Sequence, residues 1–255
     1  MARYARRPAG PHRPRGPWKH GPIPVIGLVG GIGSGKSRVA ACWAERGAVV
    51  LDADAVGHAL LEQRPARDEV LARFGAEILD RTADGDGFPR IDRRALGALV
   101  FAHPGSLRDL ERILHPRMRR TFERAIARTA RQGRAPAVVL DAAILFEAGW
   151  NDLCDRAVFV DAPEEQRRAR LAAQRGWSSE VLEARERAQW PLDQKRRAAE
   201  FLLRNDSDPD ALRLEALRLW DQVTRNPGSA RPLSSPLRSP GRPQTDAVSA
   251  PPGRT

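Results

Sequence analysis

Val25-Ile26-Gly27-Leu28-Val29 runs directly into Gly30-Gly31-Ile32-Gly33-Ser34-Gly35-Lys36-Ser37, and this junction decides the fold. The first segment is a continuous apolar run of the kind a buried parallel strand requires. The second fits G-x-x-x-x-G-K-[ST], a loop whose backbone N–H groups converge on phosphate oxygens. Glycines at 30, 31, 33 and 35 let the chain wrap around oxygens that any Cβ would push away. The residues after the loop read as a helix, whose first amides and dipole favour an anion there. Lys36 reaches the β- and γ-phosphates, and the Ser37 hydroxyl is placed to ligate Mg²⁺. The alternative, a glycine-rich turn with an incidental Lys-Ser, leaves the strand, loop and helix order unexplained.

Outward from this loop, short apolar runs alternate with longer helical patterns, the signature of βα units around a parallel sheet. Strands are expected at 25–29, 48–51, 137–140, 157–160 and, more weakly, 201–203. The first helix should run to Arg46 and stop at Gly47 as a left-handed C′ residue. Residues 55–135 read as mostly helical. A last helix should start at Pro209, capped by Asp208, and carry Leu212, Leu217, Trp220 and Val223. The fold class is therefore α/β, a five-stranded parallel sheet flanked by helices with a helical insertion and a lid.

The chain of 255 residues suits one large domain with tails, and its net charge of +11 is unevenly spread. Residues 1–22 hold six Arg or Lys and no acid, and 227–255 hold four Arg against one Asp. Removing them leaves a nearly neutral body, which lacks the footprint of a dedicated nucleic-acid binder. Both tails are rich in Pro, Arg, Gly or Ser and are expected to be disordered. The first tail lacks an h-region and reads as a solvated basic arm, or as residues upstream of the true start. The longest apolar stretch, Ala137 to Phe146, is broken by Asp141, so no membrane span is expected. Cys42 and Cys154 are too few for a disulfide framework and sit in apolar patterns, consistent with a soluble cytoplasmic protein.

Ligands gather beyond the carboxyl ends of parallel strands, which selects Asp54, Asp141 and Asp161. Asp54 follows the second strand, which in many phosphotransferases lies beside the loop strand. It reads as an acceptor for a substrate hydroxyl proton, with a helix N-cap as the alternative. Asp141 reads equally as a carboxylate holding a Mg²⁺-bound water or as a turn residue, and Asp161 as the cap of the next helix. The basic run Gln166 to Trp177 then offers arginines for a lid. Arg175 is the one expected at the phosphates, with Lys195 or Arg196 as alternatives.

The ordered set of motifs resembles the dephospho-coenzyme A kinase family over residues 23–226. It comprises Gly27 through Ser37, Asp52-Ala53-Asp54, Phe74-Gly75-Ala76-Glu77-Ile78-Leu79, Leu110 through Pro116, Leu145-Phe146-Glu147, and the late Gln189, Lys195 and Asn205. The resemblance implies transfer of the γ-phosphate of ATP, with Mg²⁺, to the ribose 3′-hydroxyl of dephospho-coenzyme A. It implies a helical substrate region near 55–135 and a lid near 163–200. By the same likeness Asp54 is the catalytic base, Lys36, Ser37 and the rest of Gly30–Arg38 handle the nucleotide, and Arg175 belongs to the lid. His115 and Pro116 would shape the substrate side, although a His before Pro also reads as a packed helix end. Asn205 would approach the adenine or cap a turn.

Three departures from the family pattern stand out. Arg38 stands where the family usually has Thr, Ala143-Ile144-Leu145 replaces a Pro-Leu-Leu turn, and Leu171 sits where a second lid arginine is expected, with Arg170 one position off register. Two other readings differ in acceptor or class: another small-molecule or nucleotide kinase, and a nucleotide switch suggested by Asp54-Ala55-Val56-Gly57. The second lacks any Asn-Lys-x-Asp guanine-reading motif. A monomer is the expected state, with no nucleic acid or membrane partner.

Overall fold

In the computed structural model, which describes residues 17–80 and 90–225, the apolar runs become a five-stranded parallel sheet. Its strands are β1 (Val25–Gly30), β2 (Val49–Asp52), β3 (Val138–Asp141), β4 (Arg156–Asp161) and β5 (Phe201–Arg204), in the spatial order β2-β3-β1-β4-β5. All six residues of β1 are buried because neighbours flank it on both sides. The second strand is not beside the loop strand: β3 stands between them and β2 is an edge. The fourfold run Ala137 to Leu140, fully buried, suits the inner place better than Val49 to Asp52, which is half-buried to exposed.

Side chains alternate across the sheet and build two cores. Ile26 and Leu28 of β1 face α1 (Lys36–Ala44) and α9 (Pro209–Arg225), where Trp43 and Trp220 meet at 5.7 Å. Val25 and Val29 face the insertion, made of α2 (Ala53–Glu62), α3 (Arg64–Phe74), α4 (Arg93–Ala102) and α5 (Pro104–Gln132). The segment that follows β4 forms α6 (Glu164–Arg175), α7 (Ser179–Arg187) and α8 (Leu192–Ala198) before the chain enters β5.

Most expected elements appear within a residue or two. Asp208 caps α9 through Ala211 N–H at 2.8 Å, as expected, and Leu212, Trp220 and Val223 are buried on it, whereas Leu217 is only half-buried beside Ala216 and Leu219. Helix α1 ends at Ala44, two residues before Arg46, and Gly47 keeps its left-handed turn at φ 88°. His115-Pro116 does not end a helix: α5 runs straight through Pro116 for 29 residues. A proline's missing N–H costs one backbone bond, and the apolar face of Leu114, Met118, Phe122 and Ile126 holds the helix together on either side.

The folded body also reaches further toward the N-terminus than residue 23. Trp18 is buried under Arg156, Lys19 N–H donates to Asp155 at 2.8 Å, and His20 bonds the Leu153 carbonyl, so residues 17–22 pack on the start of β4. Residues 1–16 and 226–255, which hold most of the two expected tails, lie outside the described residues, as does 81–89 inside the helical region. No helix among the described residues is long and apolar enough to cross a membrane.

Candidate active site

The loop leaves β1 at Gly30 and enters α1 at Lys36, and its backbone requires glycine at the expected places. Gly30, Gly33 and Gly35 have φ of 148°, 77° and 94°. A Cβ on Gly30 would lie 2.4 Å from the Val160 carbonyl oxygen, and one on Gly35 would lie 2.4 Å from Asn205 Nδ2. Lys36 Nζ donates to the carbonyls of Gly30 at 3.1 Å and Gly31 at 3.0 Å, folding back along the loop. Burial lowers its pKa most, Asp141 and Asp54 raise it, and Lys195 and Arg167 lower it further. Ser34 lies buried within the loop, Ile32 lends its carbonyl to Arg167, and Ser37 and Arg38 face solvent at the start of α1.

Two carboxylates stand beyond the strand ends beside this loop. Ser37 Oγ donates to Asp141 Oδ2 at 3.2 Å, joining the head of α1 to the end of β3. Asp141 is buried, which raises its pKa most, while Lys36 and the Ser37 hydrogen bond pull it down. Asp54 is exposed in the first turn of α2 and is not the N-cap: Asp52 takes that role, accepting from Ala55 N–H at 3.0 Å. The Asp54 carboxylate is thus free of the capping duty, and its charge is felt by both Lys36 and Asp141. Asp161 is no cap either, since Pro163 precedes α6. It pairs with Arg196 at 3.3 Å.

The basic helix α6 reaches the loop through Arg167, Arg170 and Leu171. Arg167 is 3% exposed, donates to the Ile32 carbonyl at 3.2 Å and pairs with Glu186 of α7. Leu171, one turn on, packs against Gly33. Arg170 reaches the Gly33 carbonyl at 3.5 Å and Asn205 Oδ1 at 3.3 Å, its pKa lowered by burial and then by Arg38. Arg175 closes α6, and its side chain lies outside the described ones. Asn205 stands under the loop, donating from Nδ2 to the Ser34 carbonyl at 2.7 Å, so both its polar atoms are engaged. Lys195 is wholly buried. It bonds Glu147 at 2.7 Å, Gln189 at 2.8 Å and the Ala143 carbonyl at 2.7 Å, so it fastens the turn after β3 where the family pattern has proline.

Toward the insertion, His115 meets Trp150 edge-on at 5.1 Å, with burial lowering its pKa, and Pro116 is exposed beside it. A cavity of about 1080 Å³ opens between α2, α3 and α4, lined by His58, Arg64, Arg67 and Arg93 among others. His58 is one turn beyond Asp54 on α2. No group of three or more metal-ligating side chains occurs among the described residues; Ser37 with Asp141 is instead a hydroxyl–carboxylate pair suited to a cation that also takes phosphate and water oxygens. The expected Ser37 is therefore joined by Asp141. Arg167 and Glu186 were not foreseen, because nothing in a run of arginines marks the one that turns inward.

A parallel sheet with its phosphate loop on the central strand, a Ser–Asp pair at the next strand end and basic helices over the loop defines a P-loop kinase. The family model for dephospho-CoA kinase matches residues 24–210. The dephospho-CoA kinase of Anaeromyxobacter dehalogenans is 42% identical over 215 residues, 84% of this chain and 99% of that one. A crystal structure of a Thermus thermophilus protein superposes with a TM-score of 0.62 at 37% identity, covering 78% of this chain and 96% of that one. The dephospho-CoA kinase structure from Campylobacter jejuni shares the fold at a TM-score of 0.53 and 19% identity, over 80% and 99% of the two chains. The chain belongs to the dephospho-CoA kinase family.

Proposed function

We propose that this protein transfers the γ-phosphate of ATP to the 3′-hydroxyl of the ribose in dephospho-coenzyme A, giving coenzyme A and ADP. The observation that carries this is the juxtaposition of a complete phosphate loop, the Ser37–Asp141 pair and an uncapped, exposed Asp54 at one end of the sheet. Asp54 takes the proton of the acceptor hydroxyl as its oxygen bonds the γ-phosphorus, and the bond to the β-phosphate oxygen breaks to release ADP. Lys36 neutralises charge that develops on the transferring group and on ADP. Ser37 and Asp141 would hold Mg²⁺, which would supply positive charge to offset that of the phosphates.

Arg175 and Arg170 serve as lid cations, and Asn205 supports the nucleotide through the loop it braces rather than by reading adenine. The rest of the acceptor extends over the insertion, its diphosphate drawn to the arginines of the large cavity and its arm toward His115 and Pro116. The switch-protein reading is disfavoured because Asp54 to Gly57 lie inside α2 rather than in a loop. With ATP and Mg²⁺, turnover of dephospho-coenzyme A should far exceed that of nucleoside monophosphates or shikimate, and product analysis should locate the new phosphate on the ribose 3′-oxygen. Equal turnover of another acceptor would overturn the assignment.

A further inference from the structure

Arg167 and Lys36 crowd one short stretch of loop backbone. Lys36 Nζ holds the carbonyls of Gly30 and Gly31, Arg167 Nη1 holds that of Ile32, and a Cβ on Gly31 would lie 2.8 Å from the same Nη1. The Arg167 side chain is 3% exposed, and its Nε has no hydrogen-bond partner. A guanidinium buried beside an ammonium needs an anion, since an unpaired buried charge is strongly destabilising. Among the described residues the carboxylate paired with Arg167 is Glu186, which comes from α7 and also lies near Lys195. One turn beyond Arg167, Leu171 packs over Gly33, whose carbonyl is reached by Arg170 at 3.5 Å.

We infer that Arg167 is a phosphate-contacting residue of the loop and that the Glu186 carboxylate competes with ATP for its guanidinium, so that α7 sets nucleotide affinity. The inference rests on the kinase reading above. Bound phosphate takes over the Nη1 and Nε donors, and Glu186 yields its hold; no covalent step is involved.

Calorimetric titration of the full chain with MgATP and with AMP tests this, using R167Q, R167K, E186Q and the R167Q/E186Q double variant, with melting temperatures recorded for each. R167Q is expected to weaken MgATP binding roughly 10- to 100-fold, the range of a charge-assisted hydrogen bond, and AMP binding much less; R167K should recover part. E186Q should tighten MgATP binding several-fold, and this gain should vanish in the R167Q background. Weaker or unchanged binding by E186Q would overturn the competition, as would an equal gain in both backgrounds, which is a through-space charge effect. If R167Q does not fold, the direction of the E186Q effect and the retention of affinity in R167K decide the matter. A wild-type chain that fails to bind MgATP would sink the kinase reading instead.

Discussion

Replacing Asp54 with Asn separates catalysis from stability, because the structure assigns the helix cap to a different residue. Asp52 accepts the Ala55 N–H, so D54N leaves the cap in place and removes only a charge from the first turn of α2. That charge is worth about 0.3–1 kcal/mol to the helix. Loss of a general base costs about 10²- to 10⁴-fold in turnover, or about 2.7–5.4 kcal/mol of barrier at 1.36 kcal/mol per decade. The two effects therefore differ severalfold in size and are read by different measurements. Steady-state assay should show kcat down by two orders of magnitude or more, while MgATP affinity holds or rises slightly, since a carboxylate whose field reaches Lys36 has been removed. The reciprocal variant D52A should lose about 1 kcal/mol of stability in urea and keep most of its turnover. A D54N enzyme with kcat within tenfold of wild type would remove Asp54 from the chemistry.

Lys195→Ala removes the wholly buried ammonium and leaves half-buried Glu147 with the Trp190 N–H alone among the described residues, which should cost up to about 3–5 kcal/mol, read as a lowered urea midpoint; Lys195→Met together with Glu147→Gln should recover much of that loss. Gly35→Ala places a methyl 2.4 Å from Asn205 Nδ2 at a φ of 94°, so it should break the Ser34 bond and abolish ATP binding by calorimetry, whereas Gly133→Ala, with nothing nearby, should only strain its own turn. Asp141 has a folded pKa above its unfolded one. Between the two values the native state holds a proton that the unfolded chain lacks, so its contribution makes stability fall as pH rises through that window. D141N should remove that slope from denaturation measured across the acid range. The exposed Arg119–Asp152 pair, at 2.9 Å, should contribute no more than about 1 kcal/mol in a double-mutant cycle.

The strands and the phosphate loop were legible because their signals are local: an apolar run, glycines at fixed offsets, a Pro after an Asp at the start of α9. The sheet order was not, since β2 and β3 both read Val-Val-Leu-Asp and only their burial tells the inner from the outer. The course of α5 through Pro116 was hidden because the packing that tolerates a missing bond comes from residues elsewhere. Asp52 and Asp54 are two residues apart, and which of them caps depends on where the helix begins, a boundary sequence patterns fix poorly. Arg167 was lost in a basic run, where the inward-turned member is chosen by tertiary contact with Ile32 and Glu186.

The six buried residues of β1 lie between β3 and β4, and the chain passes from them straight into the phosphate loop. The strand that presents the nucleotide grip is thus among the last to open when the molecule breathes, because freeing it means stripping both of its ladders. Gradual loosening at the rims, along β2 or β5, can proceed while the grip persists. Integrity of the strand beneath the phosphate loop and survival of the whole fold are, for this protein, one cooperative property, whereas Asp54 beyond β2 and Asn205 beyond β5 stand at the rims that loosen first.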